Sequence, residues 1–188
     1  MCSSGRRRAR AHDGGQELTQ ELSHIDAKGR ARMVDVGEKP ITLRVCVAQG
    51  AVRMAAATLA RISDGSLPKG DALSVARLAG IQAAKRTHEW IPLCHAIPLD
   101  AVDVALTPDP DGCRVRIEAR ARAHARTGVE MEALVAVAAA GLALYDMCKA
   151  IDREMAIEAV QLVSKSGGKS GDWRRSTDSV DPAEAPTD

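Results

Sequence analysis

At 188 residues, 45% of them hydrophobic, the chain can bury one cored domain with ragged ends. Its formal net charge of +1 excludes a global field driving it onto nucleic acid or a membrane surface. Its 5 cysteines include no CxxC pair, which indicates neither a disulfide framework nor a zinc motif and fits a reducing, cytoplasmic setting.

The elements follow in chain order. Residues 1–21 are rich in Arg, Gly and Ser and read as a disordered basic tail; no apolar stretch follows MCSSGRRRAR, so it does not read as a secretory signal. Residues 174–188 read as a disordered acidic tail, leaving 22–173 as a single folded domain. Ile41, Leu43, Val45 and Val47 alternate with Thr42, Arg44 and Cys46, which predicts a strand running towards Met54. Ala55–Ser63 predicts a short helix with Leu59 and Ile62 inward, and SDGSLPKGD a loop that carries Lys69. Asp71 suits the N-cap of a helix over Ala72–Arg86, with Lys85 and Arg86 at the end where the dipole favours cations.

HEWIPLCHAIP, with two prolines, reads as a connection. Leu99–Leu106 and Cys113–Ala125 form two alternating strands around the turn PDPDG, hence a hairpin. In the second strand Val115, Ile117 and Ala119 face one way, and Arg114, Arg116, Glu118, Arg120, Arg122 and His124 the other. Thr127 and Glu130 predict a capping box that opens a long helix ending near Lys149. From Ala133 to Tyr145 every residue of that helix is apolar or Gly, a run too short to span a bilayer and suited to a protein core. Met155–Val163 reads as the last strand. The order strand, helix, strand, strand, helix, strand gives an α+β fold of ferredoxin-like type, a βαββαβ plait with an antiparallel sheet, helices on one face and an extra short helix. With no Phe, 2 Trp and 1 Tyr, its core must be filled by Ala, Val and Leu.

Chemistry-bearing groups gather at a few places. Asp146 and Lys149 lie three apart on one face of the long helix, where a carboxylate and an amine at the edge of a core shift each other's proton affinity. An ordinary ion pair has the same pattern. KSGGKSG, with Lys165 and Lys169, combines backbone freedom with positive charge, as a phosphate loop does; the same composition suits a flexible linker, and the spacing is not that of a Walker A loop. Lys69 alone reads as a solvated loop lysine, Cys94 as buried filler, and His95 equally as a phosphate contact or a structural histidine. Glu130 and Glu132 have a plain role as first-turn acids. A chain without Phe lacks the aromatic platform on which such plaits stack RNA bases.

Together HIDAKGRARMVDV, PKGDAL, ARLAGIQAAKRT, IPLCH, TGVEMEAL, YDMCKA and KSGGKSG resemble, in order and with compact gaps, the cyclic pyranopterin monophosphate synthase family, molybdenum cofactor biosynthesis protein C. The resemblance implies rearrangement of a cyclic dihydro-GTP adduct with release of pyrophosphate. It also implies no metal or redox cofactor, and a homohexamer, a trimer of dimers, with sites at subunit interfaces. Carried over by motif, Asp146, Lys149 and Lys69 would be catalytic. Leu93, Cys94, His95, Met131, Glu132, Lys165 and Lys169 would contact substrate, with Glu130 and Arg86 as further candidates. The rival from another class is a non-catalytic nucleotide- or phosphate-binding regulatory plait.

Overall fold

The computed structural model describes residues 28–176. The two tails, apart from residues 174–176, and the segment HIDA of the first motif lie outside the described residues. Contacts divide the chain into Met1–Arg32 and Met33–Asp188, and every element named below belongs to the second unit.

Five strands, β1 (Thr42–Arg53), β2 (Ala101–Asp109), β3 (Arg114–Ala125), β4 (Ala156–Ser166) and β5 (Trp173–Arg174), form one sheet in the order β2-β3-β1-β4-β5. All neighbours are antiparallel. With α2 (Ala72–Ala84) joining β1 to β2 and α4 (Glu130–Cys148) joining β3 to β4, this is the ferredoxin-like plait. The short helix before α2 is α1 (Ala56–Ser63), with Leu59 and Ile62 buried as expected. Two elements add to the sequence reading. The connection HEWIPLCHAIP opens with a single helical turn, α3 (Thr87–Trp90), and β5 returns after the glycine loop to pair with β4, Lys165 opposite Trp173.

Asp71 caps α2 as its chemistry dictates, its carboxylate accepting from the Ser74 amide at 3.0 Å. The capping box at the start of α4 does not form. The N-cap is Val129, with no side-chain hydrogen bond, and the Glu130 carboxylate instead reaches to within 3.6 Å of the Lys165 ammonium. Attraction to a cation across the chain outweighs a local amide bond that water can replace.

The faces of β1 are set by the helix layer. The bulky members of its alternation look away from the helices, Ile41 at 60% and Leu43 at 46% exposure, whereas Cys46, Ala48 and Val52 are buried beneath α4. The reason is close approach. A Cβ on Gly50 would stand 2.7 Å from Val137 Cγ1, so the helix-facing side of β1 admits only small groups there. Between β1 and β4 the register shifts twice, and Ala159 adopts φ 52°, a bulge that bends β4 at this point. On β3 the expected faces hold, Val115, Ile117 and alternate alanines in and the arginines out.

The same closeness governs the helix layer. A Cβ on Gly80 of α2 would lie 2.8 Å from the Ala136 carbonyl of α4 and 3.3 Å from Ala140 Cβ. We expect Gly80→Ala to force the two helices apart and to cost about 1–3 kcal/mol despite the higher helix propensity of Ala. Thermal unfolding checks this; a midpoint equal to or above that of the native chain contradicts the close packing.

Candidate active site

The first cluster stands at the C-terminal end of α4. The Asp146 carboxylate accepts Lys149 Nζ at 2.7 Å through one oxygen and Lys69 Nζ at 3.0 Å through the other. Lys69 also donates to the Asp146 carbonyl at 2.8 Å. The loop that delivers Lys69 is anchored by buried Leu67 and closed by a turn from Gly70 N–H to the Leu67 carbonyl, with Gly70 at φ 86°. Its ammonium therefore lies where helix carbonyls are unpaired and the dipole is negative.

These groups are open to solvent, with side-chain exposures of 57% for Asp146, 53% for Lys149 and 42% for Lys69. Desolvation is therefore the weakest influence on Asp146, because it projects from the end of the buried helix rather than from its packed face. Hydrogen bonds from Lys149 and then Lys69 hold the Asp146 carboxyl below its ordinary range, and the bond to Asp146 raises Lys149. Each shift favours the charged form of its group, so Asp146 and Lys149 hold each other ionised, with the Lys69 amine as a second donor to the same carboxylate.

The second cluster lies at the other end of α4. A cavity of about 870 Å³ is lined by Lys39, Arg44, Arg126, Lys165 and Lys169 against the single acid Glu130, with Thr42, Cys46 and the backbone of Gly167–Gly168 in its wall. KSGGKSG is a built hairpin loop. Gly167 and Gly168 take φ of 89° and 82°, Gly171 N–H bonds the Gly168 carbonyl at 3.1 Å, and Lys165 donates to Ser170 Oγ at 2.9 Å. Thr42 Oγ1 is buried in the wall without a hydrogen-bond partner. Such an excess of cations around a concave wall is suited to a polyanion.

Beside this cavity Glu132 is buried at 3% exposure, and burial pushes its carboxyl up to about 7, with the charge of Glu130 adding to the rise. Its charge is felt by Cys94 and by Cys46. The thiol of Cys94 is raised first by burial and then by Glu132, and that of Cys46 is pushed by burial to about 12. Neither thiol is an activated nucleophile. The next residue, His95, meets the Val34 carbonyl with Nε2 at 2.9 Å. Leu93 is half-buried in the same connection, and Met131 lies between the two acids of α4.

One chain therefore gathers the expected residues into two groups: Lys69, Asp146 and Lys149 at one end of α4, and Glu130, Met131, Glu132, Lys165 and Lys169, with the Leu93–Cys94–His95 turn, towards the other. Sixteen residues separate Glu130 from Asp146, about 24 Å of helix. Arg86 joins neither group; exposed beyond α2, it lines a separate hollow with Leu78, Ile81, Gln82 and Lys85. Lys39, Thr42, Arg44 and Arg126 escaped the sequence reading. Arg44 shares the helix-facing parity of β1 with Cys46, which the structure alone reveals, and a charged residue on that face needs partners.

Comparison with known proteins adds the following. The family model described as "MoaC family" matches residues 33–168. The cyclic pyranopterin monophosphate synthase of Chloroflexus aurantiacus is 57% identical over 159 residues, 85% of this chain and 98% of that protein. Cyclic pyranopterin monophosphate synthase 1 of Mycobacterium bovis is 58% identical over 156 residues, 82% of this chain and 91% of that protein. The synthase of Rhodospirillum rubrum is 58% identical over 155 residues, covering 82% and 93% respectively.

The raised Glu132 carboxyl links stability to pH. Between its ordinary value of 4.5 and about 7 the folded chain holds a proton that the unfolded chain has released, so stability falls across that window as pH rises. We expect Glu132→Gln to remove a loss on the order of 3 kcal/mol between pH 5 and pH 8. Denaturant unfolding of both proteins at each pH measures the difference; equal pH slopes would contradict it.

Proposed function

The chain belongs to the MoaC family, and on that footing we propose that it catalyses the cyclic pyranopterin monophosphate synthase reaction of molybdenum cofactor biosynthesis. In this reading it is a lyase that takes 3',8-cyclo-7,8-dihydroguanosine 5'-triphosphate to cyclic pyranopterin monophosphate and pyrophosphate. The observation that carries the reading to particular residues is the grip of Asp146 on Lys149, one turn away, and on Lys69, 77 residues away in the chain.

The chemistry divides between the two clusters. Rearranging a purine-derived ring moves protons on and off nitrogen and oxygen. Lys149 and Lys69 as ammonium groups can donate, and Asp146 can accept and hold both in place. Glu132, poised near neutrality, can do either. Closing the cyclic phosphate requires a hydroxyl oxygen to bond to the innermost phosphorus as the bond to the pyrophosphate oxygen breaks. Charge then grows on the departing pyrophosphate, and Lys39, Lys165 and Lys169 around the cavity are placed to stabilise it. A separation of about 24 Å exceeds the reach of one nucleotide-sized molecule, so a complete site takes the Asp146 cluster of one copy and the cavity of another. A homohexamer built as a trimer of dimers meets that need. A non-catalytic phosphate-binding plait would use the cavity but leave the Asp146 cluster without a task. The free cysteines Cys46, Cys94, Cys113 and Cys148 suit a reducing cytoplasm.

We expect Asp146→Ala and Lys149→Ala each to lower kcat by about 100-fold or more while the fold is kept, since the pair is exposed and contributes little to stability. Pyrophosphate release and pterin formation, assayed beside circular dichroism, check this; near-normal turnover in a folded variant removes the residue from the mechanism. A second expectation addresses the shared site. Inactive Asp146→Ala mixed and reassembled with inactive Lys165→Ala should regain activity, because some hybrid interfaces hold one intact set. No recovery in demonstrably mixed oligomers would contradict a site shared between two copies.

A further inference from the structure

Arg44 is a charged side chain on the helix-facing side of β1, and its hydrogen bonds go to backbone. Nη1 donates to the Gly167 carbonyl at 3.3 Å, Nη2 to the Arg126 carbonyl at 3.3 Å, and Nε to the Ala125 carbonyl at 3.4 Å. One planar guanidinium thus ties the glycine loop to the turn between β3 and α4. Arg126, in that turn, donates in the same way to the Lys39 carbonyl at 3.1 Å. The result is a chain of two arginines joining three backbone segments, and these segments carry Lys39, Lys165 and Lys169.

The fit around Arg44 is tight. A Cβ on Gly168 would fall 1.7 Å from Arg44 Nη1, and one on Gly167 only 2.1 Å from the Leu43 carbonyl. The loop can lie against the guanidinium only because both residues are glycines. Lysines brought into one cavity repel each other, and a glycine-rich loop left to itself would relieve that repulsion by swinging away. A fork fastened to carbonyls on both sides opposes this, and a lysine could not replace it, because a single ammonium does not present divergent donors in one plane.

We infer that Arg44 is the positioning residue of the polyanion site: it fixes the Lys165–Lys169 loop against the β3–α4 turn, and so sets the spacing of the lysines that receive the phosphates. This rests on the functional reading above and adds to it the residue that holds the phosphate wall in place. Arg44 acts through the loop, and its charge is secondary to its geometry.

The test uses the full chain, with inorganic pyrophosphate as the probe for calorimetry and the cyclic GTP adduct as substrate for kinetics. Arg44→Ala and Arg44→Lys should both bind pyrophosphate about tenfold or more weakly than the native chain, with the larger effect on KM than on kcat. Free guanidinium should restore Arg44→Ala towards native affinity. Gly168→Ala, which drives a methyl into the guanidinium, should cost less affinity in the Arg44→Ala background than alone, a non-additivity that general destabilisation would not produce. Should Arg44→Ala fail to fold, Arg44→Lys carries the comparison. Native-like affinity in Arg44→Lys would overturn the proposal, since charge alone would then suffice. If the unmodified chain binds no pyrophosphate and forms no product, the functional reading falls and the proposal falls with it; if it does both and the Arg44 variants match it, the proposal falls alone.

Discussion

The structure depends on how closely α4 lies against its neighbours. Gly50 and Gly80 leave no room for a methyl group where the helix crosses β1 and α2, and the buried residues around them are mostly Ala, Val and Cys. A core built from small side chains gains little area per residue, and compensates by close approach and dense dispersion contacts. The faces of the helix packed in this way have no room or solvation for charge. Its ionisable groups are therefore confined to its ends, with Glu130 and Glu132 in the first turn and Asp146 near the last.

From this confinement the layout of the chemistry follows. The helix acts as a rod of about 28 Å with a proton-handling cluster at one tip and a cationic cavity at the other. The two ends also differ in electrostatic character. At the C-terminal tip the groups are open to water, and two lysines share one carboxylate. At the N-terminal end a buried carboxyl is kept near its midpoint by desolvation, and the cavity holds an excess of positive charge that Glu130 offsets only in part. In the proposed shared site, a polyanionic substrate would bridge the two environments across two copies of the chain, which would explain why a single chain keeps them apart.

The cavity also shows how backbone can be recruited to organise charge. Arg44 and Arg126 donate to backbone carbonyls and so tie the walls of the site together, while Lys39, Lys165 and Lys169 line the space between. Glycine at 167 and 168 is required twice over, by the positive φ and by the nearness of the β1 backbone and the guanidinium.

Local chemistry was enough to read the element order, the β2–β3 hairpin, the Asp71 cap and the inward faces of β3 and α1, because each depends on periodicity or on a bond between near neighbours. The pairing of Asp146 with Lys149 was legible for the same reason, three residues on a helix being one face. What crossed the chain was not legible. The inward side of β1 was decided by the space under α4 and not by which residues are bulkier; the capping role of Glu130 gave way to Lys165; and the capture of Lys69 by Asp146 needed a loop folded 77 residues away in sequence. Lys39, Arg44 and Arg126 become one wall only when three separate segments meet. The sequence by itself determined which groups were available and where along each element they stood. Tertiary structure decided which of them share a dielectric environment and a partner, since both are properties of the space between elements.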